Sequence, residues 1–316
     1  MKPYFLINGI KELSKEFKGK ANIYLGIRPY GFHAGNQLPF MVYPYLLCKF
    51  TKELGFTPKF NFFLFLNDWE QDALEGPDLA NYPFNIFPKN TTFQFTPSPD
   101  GKGNIVDFYE PIIATNVKKA LEDFKQVKVI VMRNSSMKKM KTMKDVVLKT
   151  IVNPKLVRNV LKKYSGKSIL KNSCSYCNAI CKSCNSAKTE TKIMKDQRIR
   201  AKCLICGSIN YGPYESFEYW LYHKPLALPR IYENKIDLCI TGLDHYNEGD
   251  FVSRKELFKI YGLKVKYPKT LYSHLIKGAN GLVMGKSKKN DEYMAFPRLL
   301  KLVIKYGDNS IIDLSK

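Results

Sequence analysis

The sequence contains no apolar run that is long enough to cross a lipid bilayer. Its most apolar stretch, Leu38–Cys48, is about half the length that a spanning helix needs, and charged residues follow it. Residues 1–20 carry five lysines and lack the apolar core of a secretory signal peptide. No internal period typical of a solenoid protein is present. These absences predict a soluble, cytoplasmic protein that has no membrane partner.

Acidic residues are scarce relative to basic ones. The chain has 28 Asp and Glu residues against 51 Lys and Arg residues, which gives a formal net charge of +23 over 316 residues. An excess of this size favours a polyanionic partner such as RNA. Lysine-rich codon usage is the alternative, because lysine outnumbers arginine and is spread along the chain. A disordered chain is not expected, since 45% of the residues are hydrophobic and 13% are aromatic.

Apolar runs alternate with helix-length segments in a pattern typical of an α/β protein. The predicted strands are Asn22–Gly26, Lys59–Leu66, Val127–Met132 and Ile236–Thr241. The predicted helices are Asn36–Leu54, Asn153–Tyr164 and one that begins near Ser253. A strand, a glycine turn, a helix and a second strand in succession predict a doubly wound, parallel, nucleotide-binding sheet.

The middle of the chain has a different composition. Lysines are dense from Lys138 to Lys171, and cysteines are dense from Cys174 to Cys206. We therefore predict that residues 1–106 form the first half of the catalytic sheet and that residues 225–316 form its second half. Residues 107–224 are predicted to be an inserted module with basic helices and a cysteine-rich zinc knuckle.

Six of the eight cysteines fall into three Cys-x2-Cys pairs. Two such pairs separated by about 15–20 residues supply the four thiolates of a tetrahedral zinc site. This spacing selects Cys181, Cys184, Cys203 and Cys206 as the metal ligands. The pair Cys174 and Cys177 is either spare or replaces one of the other pairs, and an iron–sulfur cluster is the alternative to zinc. A complete set of cysteine ligands leaves no open coordination position, so a structural metal is expected.

A histidine flanked by glycines follows the first predicted strand. Gly31 and Gly35 allow the backbone to approach a phosphate group, and the beginning of a helix offers free N–H donors. His33 and Asn36 add side-chain donors on the same side of the first helical turn. A capped turn with a buried histidine is the alternative interpretation.

Two further segments fit a nucleotide enzyme. The strand Ile236–Thr241 is followed by Gly242 and Asp244, and a carboxylate at this end of a strand is placed to bind a ribose hydroxyl. Helix capping is the alternative role of Asp244. The segment Lys277–Asn290 is a glycine-rich loop that presents several lysines. It is either a solvated charge run or a mobile loop that closes over a triphosphate.

Together, in this order, these segments resemble the class I aminoacyl-tRNA synthetases. His33-Ala34-Gly35-Asn36 is similar to the HIGH signature, and Met284-Gly285-Lys286-Ser287-Lys288 is similar to KMSKS. The most specific resemblance is to class I lysyl-tRNA synthetase, in which the first motif also ends in Gly-Asn and a Gly-Lys-Asp-His sequence ends a strand. That family also carries a cysteine-rich insertion. The acidic segment Asn67–Glu70 resembles its second strand end.

The resemblance implies a Rossmann-type, HUP-like catalytic fold that uses ATP and Mg2+ to activate an amino acid as an adenylate. It implies that catalysis depends on the residues His33, Asn36, Lys286 and Lys288. ATP is expected to contact Gly31, Gly35, Gly242, Asp244, His245, Met284 and Ser287. The amino acid is expected to contact Arg28, Tyr30 and Asp68. The acceptor is then tRNA, bound through its acceptor arm, or another molecule.

The sequence departs from the family pattern at several positions. Pro39 stands where the lysine enzymes have a glutamate, and Arg28 replaces a small polar residue, so the identity of the amino acid stays open. Val283 and Gly285 replace the leading lysine and the serine of KMSKS. We expect no helical anticodon-binding region after the lysine-rich loop, and we therefore expect tRNA to be recognised through its acceptor arm or with help from a partner protein. The competing hypothesis is a non-catalytic nucleic-acid-binding or regulatory protein built on a synthetase scaffold.

Overall fold

The computed structural model describes residues 3–29, 34–70, 91–98, 100–165, 176–264, 266–278, 281, 283 and 293–314. The strands are β1 (Tyr4–Phe5), β2 (Lys20–Ile27), β3 (Lys59–Leu66), β4 (Lys128–Arg133), β5 (Cys177–Ala179), β6 (Thr189–Ile193), β7 (Ile199–Cys203), β8 (Ile209–Gly212), β9 (Tyr219–Leu221), β10 (Leu238–Gly242), β11 (Lys269–Ser273), β12 (Leu275–Lys277) and β13 (Ile311–Asp313). The helices are α1 (Leu6–Phe17), α2 (Ala34–Gln37), α3 (Tyr43–Glu53), α4 (Ile105–Ala120), α5 (Lys141–Val152), α6 (Pro154–Ser165), α7 (His223–Glu233), α8 (Leu243–Asn247), α9 (Asp250–Ile260) and α10 (Phe296–Tyr306).

The central sheet has six strands in the order β1-β11-β10-β2-β3-β4. All five of its strand pairings are parallel. From β4 through β3, β2 and β10 to β11, the order is that of a doubly wound nucleotide-binding sheet, with the topological switch point between β2 and β10. The predicted α/β class with a parallel central sheet is therefore confirmed.

Both faces of this sheet are buried, and successive residues along a strand belong to cores on opposite faces. In β2, Ile23 and Leu25 belong to a core that also contains residues of α1, α3, α4 and α10. The intervening Tyr24 belongs to a second core, which contains residues of α5, α6, α7 and α9. Strands with helices packed on both faces are apolar throughout, which explains the continuous apolar run in β3.

The helix predicted at Asn36–Leu54 is interrupted. It begins as α2, passes through a π-helical turn at Leu38–Val42, and continues as α3. Pro39 lies in the π turn and Pro44 lies in the first turn of α3. Proline has no N–H group and its ring crowds the preceding turn, so a change in the hydrogen-bonding pattern relieves both problems.

The inserted segment begins later than the sequence predicted. Residue 107 lies inside α4, and β4 pairs with β3 as the edge strand of the central sheet. The chain leaves this sheet after β4 and returns to it at α7. In between lie α5, α6 and two small antiparallel sheets, β5-β9 and β6-β7-β8. The apolar residues of β4 therefore belong to the central sheet, where they pair with β3 in parallel.

Helix α9 begins at Asp250 instead of near Ser253. The residue before it, Gly249, has a left-handed conformation, and the hydroxyl group of Ser253 donates to the carbonyl of Asp250 from within the helix. Among the helices that the structure describes, none is long and apolar enough to cross a membrane.

Candidate active site and cysteine cluster

The carboxyl ends of β2 and β10 lie side by side at the switch point of the sheet. Their register runs from the pair Ile23 and Leu238 to the pair Leu25 and Ile240. Helix α2 follows β2, and helix α8 follows β10 directly. Ligands of doubly wound sheets bind in the crevice outside such strand ends. Gly35 and Asn36, in α2, are partly buried next to this crevice.

Gly242 ends β10 and leaves room for the carboxylate of Asp244. A methyl group at Gly242 would overlap Asp244 Oδ1, so glycine is the residue that lets this carboxylate fold back over the strand end. Asp244 is solvent-exposed and lies in the first turn of α8. Its main-chain carbonyl accepts a hydrogen bond from Glu248 within the same short helix. The exposed carboxylate is available to a ligand.

Asp68, a predicted substrate residue, is fully buried at the end of β3. Its Oδ1 accepts hydrogen bonds from the main-chain N–H groups of Asn134, at 2.8 Å, and Ser135, at 3.3 Å. Asn134 in turn accepts from buried Arg230, which also donates to the hydroxyl of Tyr24. Burial raises the pKa of Asp68, although the hydrogen bonds from Ser135 and Asn134 oppose this effect. Asp68 therefore holds the ends of β3 and β4 together.

Arg28 and Glu70 form an ion pair between the ends of β2 and β3. The guanidinium Nε of Arg28 donates to Oε2 of Glu70 at 3.1 Å. The Arg28 side chain is 35% exposed, whereas the Glu70 side chain is 6% exposed. The other carboxylate oxygen, Oε1, is buried and has no hydrogen-bond partner among the described residues.

A buried group of charges surrounds Asp250 behind α8. Asp250 contacts Arg254 at 2.5 Å and Lys224 at 3.2 Å, and the imidazole of His245 lies 3.6 Å away. Burial alone would raise the pKa of Asp250, but the charge of Arg254 and its other cationic neighbours outweigh this effect and lower it. Burial also lowers the pKa of His223, whose ring lies 4.0 Å from Asp250. His245 thus lies between the end of β10 and the buried ion-paired group around Asp250.

Gln37 connects α2 to the segment that follows the lysine-rich loop. Its Oε1 accepts a hydrogen bond from the main-chain N–H of Met294 at 3.2 Å. Gln37 and Met294 are both buried. The remaining predicted residues of this site lie outside the described residues: Tyr30, Gly31, His33, Met284, Lys286, Ser287 and Lys288.

The four cysteines selected by their spacing come together. The Sγ atoms of Cys181, Cys184, Cys203 and Cys206 all lie within 4.8 Å of one another. Two of the Sγ–Sγ distances, from Cys181 to Cys206 and from Cys184 to Cys203, are 3.6 Å. Cys177 lies buried in β5, outside this group, and Cys174 lies outside the described residues.

The two cysteine pairs have the same local geometry. Main-chain N–H groups donate to the first sulfur of each pair, from Ser183 to Cys181 and from Ile205 to Cys203, both at 3.4 Å. The residue after each pair, Asn185 or Gly207, has a positive φ. These are the features of two metal-binding knuckles that face each other, and four cysteines so arranged are able to hold a metal ion.

The thiols of this group have unequal acidities. A hydrogen bond with Ser208 lowers the pKa of Cys206 to about 6, whereas burial raises the pKa of Cys184 to about 12. Four thiolates this close repel one another strongly, so their joint ionisation needs a cation.

Helices α5 and α6 present a basic surface to solvent. Residues 138–164 contain nine Lys and Arg residues against the single acid Asp145. Lys155, Asn159 and Lys162 are exposed at helical spacing on α6. An exposed surface of this charge attracts polyanions.

The comparisons with known families agree with this geometry. The family model described as "tRNA synthetases class I (K)" matches residues 20–296, which is most of the chain. The chain belongs to the class I tRNA synthetase family. The matched region includes both strand ends of the switch point and the four-cysteine group. No curated protein gives a significant match to this synthetase-family chain.

Solved structures similar to this class I chain are distant. Tyrosyl-tRNA synthetase from Archaeoglobus fulgidus shares 14% identity, covering 95% of this chain and 69% of that one, with a TM-score of 0.44. Tyrosyl-tRNA synthetase from Leishmania major shares 12%, covering 93% and 36%, with a TM-score of 0.38. Glutamate-tRNA synthetase from Elizabethkingia anophelis shares 14%, covering 86% and 53%, with a TM-score of 0.38. The chain thus spans about a third to two thirds of their lengths.

Some residues near the site of this class I chain have no sequence signal, because their contacts are with residues distant along the chain. Asp250, Arg230 and Gln37 belong to no recognised motif, and each contacts a residue at least four positions away. The acidic Asn67–Glu70 segment gave a partial signal, because it marks a strand end at the site. Which of its carboxylates is paired with the main chain depends on tertiary structure.

Proposed function

We propose that this protein activates an amino acid with ATP, as an aminoacyl-adenylate, and transfers it to tRNA or to another acceptor. The observation that carries the proposal is the position of Gly242 and Asp244 beside the end of β2, at the switch point of a parallel sheet. Membership of the class I tRNA synthetase family supports the same reaction.

The reaction needs positioning and charge stabilisation instead of an enzyme nucleophile. The carboxylate of the amino acid attacks the α-phosphate of ATP, and pyrophosphate leaves. In our proposal, Gly242 admits the adenine and Asp244 holds the ribose. His33 and Asn36 stabilise the phosphates, and Lys286 and Lys288 bind the departing pyrophosphate. Mg2+ would neutralise charge on the phosphates.

His245 is proposed to shape the nucleotide site through its contact with Asp250, 3.6 Å away. Gly31, Gly35, Met284 and Ser287 are proposed to supply main-chain contacts to ATP. Tyr30 and Arg28 are proposed to line the amino acid pocket.

We propose that Cys181, Cys184, Cys203 and Cys206 bind Zn2+ as a structural ion. Four sulfurs at about 2.3 Å from a tetrahedral zinc ion lie about 3.8 Å apart. The two 3.6 Å Sγ–Sγ distances are close to that value. An ion held by four cysteines stabilises the fold and takes no part in adenylation.

The acceptor is proposed to be RNA, with tRNA bound through its acceptor arm. The basic surface of α5 and α6 supports this proposal, because its exposed lysines match the charge of a phosphate backbone.

The deciding experiment is ATP–pyrophosphate exchange with each standard amino acid, first without tRNA and then with it. We expect exchange with one amino acid, reduced by on the order of 10²–10³-fold in His33→Ala and Lys286→Ala. Folded, metal-loaded protein that shows no exchange under either condition contradicts adenylation. Retention of RNA binding in such protein would favour the non-catalytic nucleic-acid-binding scaffold.

A further inference from the structure

Glu70 is a buried carboxylate that has only one of its two oxygens satisfied within the described part of the chain. Oε2 receives Nε of Arg28 at 3.1 Å, and Oε1 is shielded from solvent without a hydrogen-bond partner. An arginine that bound both oxygens would leave no such acceptor. A buried, unpartnered carboxylate oxygen costs on the order of a few kcal/mol, so a hydrogen-bond donor on a ligand that reaches it would relieve that cost.

The position of Glu70 relates it to the proposed reaction. It follows β3, and its partner Arg28 follows the neighbouring strand β2. The ends of β2 and β10 form the switch-point crevice, so Glu70 lies one strand away from the proposed nucleotide site. An amino acid must lie beside the nucleotide for its carboxylate to reach the α-phosphate.

Two other acidic groups near this edge are already committed to the protein. Asp68 accepts hydrogen bonds from the main chain at Asn134 and Ser135. Asp250 is surrounded by Arg254, Lys224 and two histidines. Pro39, at the position after the first motif where a glutamate would be expected, offers no charge.

We propose that Glu70 Oε1 is the acceptor for an ammonium group of the amino acid substrate, and that Arg28 positions the carboxylate by holding Oε2. This inference rests on the proposed adenylation. It names the class of ligand, a group that carries an N–H donor and a positive charge, and it supplies the acidic partner that a buried ammonium group needs. The α-ammonium group and a side-chain ammonium group are the two sources of that chemistry.

The test compares Glu70→Gln with wild type in ATP–pyrophosphate exchange, using the amino acid that supports exchange. We expect the KM for the amino acid to rise about 10²-fold, because a charge-paired hydrogen bond is lost, while the KM for ATP stays within about twofold. The matched control is Glu110→Gln, which removes a carboxylate from a similar pair with Arg133 elsewhere on the sheet edge. Its KM values are expected to match those of wild type.

A wild-type enzyme that supports exchange, together with an unchanged amino acid KM in Glu70→Gln, overturns the ammonium site and leaves adenylation intact. A wild-type enzyme that supports no exchange contradicts adenylation itself, and the ammonium site with it. If Glu70→Gln does not fold, Glu70→Asp keeps the charge for Arg28 but withdraws the carboxylate. We then expect Glu70→Asp to raise the KM for the amino acid by a smaller factor than Glu70→Gln would. An unchanged KM in Glu70→Asp overturns the ammonium site.

Analogues of the active amino acid distinguish the two sources of the ammonium group. With wild type, an analogue without the α-amino group and one without a side-chain amino group are tested separately as inhibitors of exchange. The analogue that lacks the group bound by Glu70 is expected to inhibit wild type and Glu70→Gln equally. Each analogue gives a ratio of its inhibition constants for Glu70→Gln and wild type. If this ratio is as large for both analogues as the KM ratio is for the parent amino acid, neither ammonium group binds Glu70.

Discussion

The side-chain carbonyl of Gln37 accepts a hydrogen bond from the main-chain N–H of Met294, at 3.2 Å. Gln37 lies directly after Asn36 in α2, and Met294 follows the KMSKS-like segment along the chain. Both residues are buried, so this contact holds α2 against the segment that contains Met294. Two segments that are 257 residues apart in sequence are thereby joined by one hydrogen bond.

Gln37→Leu keeps the volume of this side chain but removes the acceptor. The buried N–H of Met294 then lacks a partner, which we expect to lower the free energy of unfolding by about 1–3 kcal/mol. The exchange rate should fall as well, since α2 is no longer held against the segment at Met294. Urea unfolding and exchange kinetics measure the two effects. Asn116→Leu, on the exposed face of α4, is the control, and equal behaviour of the two variants would contradict an anchoring role.

Gly242→Ala is predicted to weaken ATP binding without unfolding the protein. The added methyl group overlaps Asp244 Oδ1, which is the end of a flexible side chain, so the carboxylate moves and the strand does not. We expect the KM for ATP to rise about 10-fold and the unfolding free energy to change by less than about 1 kcal/mol.

A double-mutant cycle separates this mechanism from a general distortion of the site. Asp244→Asn alone should also raise the KM for ATP, and the two changes together should cost less than their sum, because both act on one carboxylate. Additive effects would mean that Gly242 contributes in some other way.

The sequence was most informative where local chemistry decides the structure. The β3 strand was predicted with its observed bounds because an apolar run between polar residues permits few alternatives. The grouping of four cysteines followed from their spacing, since each Cys-x2-Cys turn brings its own two thiols close together. The start of the inserted module was predicted at residue 107, before β4. The apolar pattern of β4 does not distinguish a strand of the central sheet from a strand of a separate module.

Other features depended on contacts that no local pattern encodes. The strand β1 is two residues long and pairs with β11, more than 260 residues away. Helix α1 has an amphipathic pattern, and its apolar residues Ile10 and Leu13 lie in the core that covers one face of the sheet. The burial of Glu70 and the use of Asp68 by the main chain likewise follow from tertiary structure, so the sequence could not rank these two carboxylates.

Replacing one cysteine of the four-thiol group should release the metal. We expect purified wild type to contain about one zinc ion per chain and Cys203→Ser to contain much less, with lower thermal stability. Cys177→Ser is the matched control, because Cys177 is buried in the same module but lies outside the group. Mass spectrometry measures the metal content per chain. Iron in place of zinc, together with a visible absorption band, would identify the group as an iron–sulfur site. Full metal content in Cys203→Ser would mean that Cys203 is no ligand, and equal loss in both variants would mean that the loss does not depend on the four-thiol group.

Charge reversal on α6 should weaken RNA binding. Lys155→Glu combined with Lys162→Glu reverses two exposed charges of the basic surface. We expect weaker tRNA binding and a slope of log affinity against log salt that is smaller by about 1–2, since each lost phosphate contact contributes about 0.7–0.9. Filter binding over a range of salt concentrations provides this slope. Lys15→Glu combined with Lys52→Glu makes the same change in net charge on α1 and α3, and an equal loss there would show that only net charge matters.

The buried His274 is predicted to make the protein less stable in mild acid. Its Nδ1 lies 2.7 Å from the hydroxyl of Tyr43, and its Nε2 lies 2.9 Å from the carbonyl of Gly307, so the neutral ring donates to Gly307 and accepts from Tyr43. Burial lowers the pKa of His274 from 6.5 to about 4, and the contact with Gly307 only partly opposes this shift.

A lowered histidine pKa means that the unfolded chain binds the proton first. The contribution of His274 is therefore complete above about pH 6.5 and is lost progressively as the pH falls to about 4. The loss amounts to roughly 3 kcal/mol in total. Unfolding free energies measured by urea titration between these pH values should decline accordingly in wild type. His274→Gln cannot titrate, so its decline should be smaller by about that amount, and parallel curves for the two proteins would contradict the assignment.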